Sequence, residues 1–235
     1  MTTSDLLDEL KSLGNPSIKK VLINHGAREP FFGVKTEDLK KIQKRVKTDH
    51  TLALELYDTG VSDAMYLAGL IVDDRKMTQD DLQRWVEGAY WSLLSESTVP
   101  WVAAESLHGR EMALRWIDSD VDAIAGAGWR TLSSITGITA DDELDIEELR
   151  GLMTRVRDTI HNQPNRVRSS MNGFIIACGV NVVPLTQFAL ECSEHIGKVS
   201  VTMDGTACKV PHAPEYIAKA VATGSVGKKR KSAKC

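Results

Sequence analysis

The chemistry that stands out in this sequence is aromatic rings placed beside guanidinium groups. Trp91 follows Tyr90 in GAYWSLLSES, and Trp129 precedes Arg130 in AGAGWRTLSS. A third segment, NRVRSSMNGF, carries Arg166, Arg168, Asn172 and Phe174. A ring face attracts a cation through its quadrupole, and an arginine fork grips phosphate oxygens with paired hydrogen bonds. If helices bearing these residues align, they offer one surface for a cationic base and its flanking phosphates. Each ring taken singly is better read as core packing, since aromatic residues on helices usually fill the interior. The combination is what points to a binding surface.

Other chemistries lack their signals. No G-x-S-x-G, H-E-x-x-H, Walker loop or kinase signature occurs. Gly126-Ala127-Gly128 is not a dinucleotide loop, because no predicted strand precedes it and the third glycine is missing. His25, His50 and His108 read as caps or loop residues. Cys178, Cys192, Cys208 and Cys235 include no C-x-x-C pair and no zinc spacing. Neither a metal nor a cofactor is expected, and the thiols read as reduced, cytoplasmic ones.

The elements that must carry these residues are helices. Leu6, Leu7, Leu10 and Leu13 recur at helical spacing after Ser4, and Asn15-Pro16 opens a second helix. Further helices are expected over residues 36–47, 51–57, 63–72, 80–88, 97–108, 110–117, 121–135, 144–160, 167–178 and 184–195, with a short one near 214–222. Only KVSVTM, residues 198–203, alternates like a strand, and it reads as either a short strand or an extended arm. Many short helices with short loops form a bundle or a solenoid, and their number favours an all-α superhelix of stacked pairs. No repeat of fixed period is visible.

Charge adds a second layer. The net charge is −3 over 235 residues, yet residues 35–47 carry six basic side chains against two acidic ones, with Lys40 and Lys44 among them. The final KKRKSAKC, with Lys228, Lys229, Arg230 and Lys231, is basic without an acid, and residues 141–148 are acidic. A basic stripe is therefore compatible with the acidic total. No run approaches the roughly 20 apolar residues of a membrane span. The expectation is a monomer with no membrane contact.

Longer stretches resemble a known family. FFGVKTEDLKKIQKR, DHTLALELYDTG and AMYLAGLIVDDRKMT, then WIDSD and RSSMNGF, are similar to the DNA alkylation repair family of AlkD-type, HEAT-like DNA glycosylases. The likeness extends from about Leu22 to Cys235 and includes DGTACKVP and the basic tail. It implies a HEAT-like solenoid that cradles duplex DNA, and a monofunctional N-glycosylase that releases N3- or N7-alkylated purines. The alkylated base is already cationic, so a carboxylate beside the sugar would stabilise the oxocarbenium character that develops as the bond breaks. Carried over by position, Trp91 is the family aromatic and Arg130 the phosphate-contacting arginine. Phe174 stands where the competent type has a second tryptophan, and the catalytic aspartate position reads Ser95. Glu96 is adjacent, but one residue is about 100° around an α-helix.

The expected site is thus Trp91, Glu96 and Arg130 for catalysis. Trp129, Arg130, Arg166, Arg168, Asn172, Phe174, Lys40, Lys44, Lys228, Lys229, Arg230 and Lys231 are the expected DNA contacts. The alternative function is a non-catalytic binder of DNA structure, or a helical scaffold for a protein partner. The expected organisation is a solenoid over residues 1–196, an arm and short helix over 197–224, and a flexible basic tail over 225–235.

Overall fold

A computed structural model describes residues 1–202 and 210–234. Among these, thirteen α-helices occur and no strand. They are α1 (Thr3–Leu13), α2 (Pro16–Asn24), α3 (Thr36–Val46), α4 (His50–Asp58), α5 (Ser62–Ile71), α6 (Gln79–Gly88), α7 (Val99–Glu105), α8 (Gly109–Trp116), α9 (Asp122–Ile138), α10 (Ile146–Thr159), α11 (Asn165–Asn181), α12 (Thr186–Ile196) and α13 (Ala213–Ala222). No single helix is long and apolar enough to cross a membrane among the described residues.

Local chemistry sets many of the boundaries. Thr2 with Asp5, and Thr78 with Asp81, form reciprocal capping boxes that satisfy the first free N–H groups of α1 and α6. Asn15, Asp49 and Asp145 cap α2, α4 and α10 with a side-chain oxygen. In α3 only Leu39 and Ile42 are buried, which leaves its lysines on the outer faces. All ten residues of α5 are buried, so it runs through the core of the N-terminal half.

The helices pair as neighbours and stack in two rows. Pairs form between α4 and α5, α6 and α7, α8 and α9, α10 and α11, and α12 and α13. One row runs α4, α6, α8, α10, α12, and the other runs α3, α5, α7, α9, α11, α13, with contacts between successive members of a row. Close approach is built into the sequence. A Cβ at Gly128 would lie 2.7 Å from the Ile117 nitrogen, so only glycine lets α9 meet the end of α8.

The contacts between successive repeats explain why no repeat is visible in the sequence. Tyr57 donates to the Trp85 carbonyl across 28 residues, and Trp91 to Ser62 across 29. The spacing is 33 for Trp116 and Gln83, 38 for Arg110 and Glu148, and 45 for Asn181 and Thr136. The structural period drifts upward along the chain, which erases any fixed sequence period.

Two expectations need correction. Residues 97–108 do not form one helix: a π turn over Leu94–Thr98 precedes α7. Pro100 has no N–H to give and its ring would collide with the carbonyl four residues earlier, so the chain widens before it. The tail is also not a free extension. Ala233 is fully buried and belongs to the N-terminal core cluster. Its route follows the C-terminal ends of the second row in reverse. Gly227 donates its N–H to the Val180 carbonyl in α11. In α9, Arg230 N–H and Lys229 Nζ reach the Gly137 and Thr136 carbonyls. Ser232 and the Ala233 N–H then donate to Glu105, the last residue of α7, and Lys234 pairs with Asp74 just beyond α5. Helix C-termini carry unpaired carbonyls and partial negative charge, which a lysine-rich strand satisfies.

The arm is described at its two ends only. Residues 198–202 are not a strand, and Met203 with DGTACK lies outside the described residues. Asn165 anchors one end through bonds to Thr202, and Asn172 donates to the Pro211 carbonyl at the other.

Candidate nucleic-acid interface

A cleft of about 170 Å³ opens on the second row, at the N-terminal ends of α9 and α11. Tyr90, Trp91, Glu96, Asp122, Gly126 and Arg166 line it, with Arg28 at its edge. Arg28 donates to the Tyr90 carbonyl, and the Tyr90 hydroxyl lies 3.0 Å from the Pro30 carbonyl oxygen. These contacts tie the loop after α2 to the cleft wall.

Ser95 and Glu96 both line the cleft, and Glu96 is the one that brings a carboxylate. Ser95, where the resemblance would put an aspartate, is only 3% exposed, and its hydroxyl donates back to the Trp91 carbonyl at 3.4 Å. The Ser95 N–H donates to the Trp91 carbonyl at 3.1 Å, an α-type bond, so the serine lies one helical turn after Trp91 as the spacing predicts, and Glu96 lines the cleft beside it on the π turn.

Glu96 is held by two arginines. Arg166 donates its Nε and presents its Nη2 to Oε1, both at 2.6 Å, and the Arg130 Nη2 lies 3.4 Å from Oε2. The carboxylate side chain is 13% exposed, against 30% for Arg130 and 39% for Arg166. Counting Arg130 behind the wall, the three arginines Arg28, Arg130 and Arg166 outnumber the two carboxylates Glu96 and Asp122 by one. Arg130 lies across α11, with its Nη1 2.9 Å from where a Cβ at Gly173 would stand. Its Nε is buried without a hydrogen-bond partner among the described residues.

The other expected residues divide sharply. Trp91 is 7% exposed and its indole N–H donates to Ser62 at 2.8 Å, so it is a wall and not a free ring face. Trp129 and Phe174 are buried in the C-terminal core, with ring centroids 5.2 Å apart. They pack the solenoid and cannot meet a base. Asn172 is likewise buried and holds the arm. Arg168, whose Nη2 donates to Asn165, does not line the cleft. Lys40 and Lys44 lie on α3 in the same row, also outside the cleft. Of the tail, Lys229 is engaged by Asp141 at 2.8 Å, while Lys228, Arg230 and Lys231 remain exposed on the edge away from the cleft. Sequence reasoning missed Gly173, which has no side chain to signal its role, and Asn165, whose amide ties the arm and accepts from Arg168. It also missed Arg28, which sits in an ordinary surface loop.

Nothing in the described residues competes as a reactive centre. No group of three His, Cys, Asp or Glu side chains converges to hold a metal ion. Burial pushes the Cys178 and Cys192 thiols above their usual range, away from the reactive thiolate.

Stacked helix pairs with an arginine-lined cleft define a helical-repeat protein suited to an anionic ligand. The sequence pattern of the family described as DNA alkylation repair enzyme matches residues 6–209, and the chain belongs to that family. A solved structure from a family of proteins related to the HEAT-like repeat DNA glycosylases, with affinity for branched DNA structures, is similar along its whole length. Its TM-score is 0.93 at 36% identity, with 100% of both chains covered. The fold is HEAT-like. The uncharacterized proteins Lin0241 of Listeria innocua and Lmo0209 of Listeria monocytogenes are each 36% identical over 227 residues, covering 94% of this chain and 98% of theirs.

Proposed function

We propose that this protein binds DNA through the Arg130–Arg166 cleft, favours branched DNA over linear duplex, and does not excise bases. The observation that carries this reading is the state of Glu96. A glycosylase carboxylate must put net negative charge beside the sugar. Here two guanidinium groups contact the carboxylate of Glu96, and a buried serine stands where the resemblance would put an aspartate. The surplus positive charge suits phosphates instead. The affinity of the similar solved protein for branched DNA supports the preferred ligand.

The test is fluorescence anisotropy with a labelled four-way junction and a linear duplex of equal length. Junction binding should be tighter, and it should weaken steeply with salt as counterions are released. Arg130→Gln combined with Arg166→Gln should weaken it by an order of magnitude or more. A flat salt response or an unaffected double variant would sink the reading. The second reading is base excision, favoured by Glu96 sharing a cleft with Trp91. Release of N7-methylguanine from methylated duplex, abolished by Glu96→Gln, would establish it.

A further inference from the structure

The geometry points to Glu96 as an internal stand-in for a DNA phosphate. This inference rests on the DNA-binding reading of the same cleft and assigns Glu96 a regulatory role within it. A carboxylate and a phosphodiester each offer two oxygens at similar separation, and both are bound by arginine forks. In the free protein the carboxylate fills that seat between α9 and α11.

Two features show that the seat is incompletely satisfied by its present occupant. The contacts are lopsided, 2.6 Å to Arg166 and 3.4 Å to Arg130. The buried Nε of Arg130 has no hydrogen-bond partner among the described residues. A phosphodiester supplies ester oxygens in addition to its two charged ones, and so has an acceptor to spare for the Arg130 Nε. Glu96 is moreover borne on a π turn, a geometry common where a helix must readjust.

The consequence is a threshold. DNA must displace Glu96 before both arginines reach a phosphate. A branch, which brings phosphates of more than one strand to one place, displaces it more readily than a single straight duplex. Glu96 also keeps the two guanidinium groups gathered and partly screened while no DNA is present, which limits capture of stray anions.

The experiment compares Glu96→Gln with Asp122→Asn on the full chain. Asp122 lines the same cleft from the exposed first turn of α9, whereas the carboxylate paired with both Arg130 and Arg166 is that of Glu96. Removing it therefore reports the general gain from deleting a negative charge near DNA. Glu96→Gln should tighten four-way junction binding about tenfold, several times more than Asp122→Asn. It should narrow the preference for junction over duplex. The excess gain should vanish when Arg130 and Arg166 are both glutamine. Since both arginines keep water contact, the variant should fold, and thermal melting verifies this. As a readout independent of DNA, inorganic pyrophosphate should raise the melting temperature of Glu96→Gln more than that of the parent. Equal gains from the two variants, or a loss of affinity in folded Glu96→Gln, would overturn the inference while leaving the DNA-binding reading intact. Failure of the parent to bind any junction would overturn that reading itself.

Discussion

Lys234 and Asp74 form an ion pair at 2.7 Å with both side chains only 14% exposed, although 160 residues of chain separate them. This contact is the far end of the strap that retraces α11, α9, α7 and α5. It joins the two core clusters from outside, with Ala233 inserted beside the first and Gly227 bonded to α11 in the second. In a solenoid each repeat touches only its neighbours, so a strand that crosses several repeats adds cooperativity that the stack lacks. Replacing Lys234 by Met should lower stability by about 1–3 kcal/mol near pH 7.5, because it leaves Asp74 buried and unpaired. Denaturant melts of parent and variant measure the difference.

The same pair has a pH signature. Burial raises the Asp74 carboxyl from its ordinary 3.8 to about 6, while the Lys234 charge pulls it back down. A folded-state value above the unfolded one means that the folded protein holds this proton more tightly. Stability contributed by Asp74 is thus full below about pH 4 and is lost as pH rises through about 6. Lys234→Met removes the lowering influence, so the carboxyl should titrate higher still. Carbon-13 NMR of the Asp74 carboxyl tests this, and an unchanged or lower midpoint would contradict the pairing. The stability deficit of the variant should also shrink between pH 7.5 and pH 5.

Truncation after Val226 removes every one of these bonds. The melting temperature should fall by several degrees, and the unfolding transition should broaden as the two halves lose their common tie. A truncated chain that melts like the parent would show that the strap is dispensable. Junction affinity, corrected for the fraction folded, should change less than it does for the Arg130 and Arg166 variants, since the strap lies at the opposite ends of the helices.

Gly173→Ala should separate stability from binding. In a helix interior, alanine is favoured over glycine by roughly 0.5–1 kcal/mol, so the melting temperature should hold or rise. The new Cβ, however, would stand 2.9 Å from the Arg130 Nη1 and push the guanidinium off α11. Junction affinity should drop several-fold. Equal affinity in a variant of unchanged stability would mean that the position of Arg130 does not matter.

The helices were legible because their signals are local. Thr78 with Asp81, Asn15 with Pro16, and the Leu39–Ile42 stripe each act within one or two turns. Arg130 and Arg166 were legible as phosphate-binding chemistry, but their meeting at Glu96 was not. That meeting depends on α9 and α11 coming side by side, and it spans 34 residues from Glu96 to Arg130 and 70 to Arg166. The tail was misjudged for a related reason. Lysines among Gly and Ser look solvated until the row of helix C-termini that receives them is assembled. Core packing was the better reading for each ring taken singly, and only the combination put Trp129 and Phe174 at the DNA, because Trp129 reads identically in sequence whether its ring faces DNA or Phe174.

Phe174 makes that last ambiguity testable. The resemblance implies tryptophan at this position in the competent type, so Phe174→Trp is the natural attempt to introduce excision. The ring is fully buried against Trp129, and no cleft residue lies on its exposed side because it has none. A larger indole must push into packed core, which should cost about 1–3 kcal/mol. It cannot turn toward the cleft without first unpacking α9 from α11. The expected result is a lower melting temperature, unchanged junction affinity at temperatures where the variant is folded, and no release of methylated purine. Measurable base release by Phe174→Trp would instead require that the ring reaches DNA, and would reverse its assignment to the core.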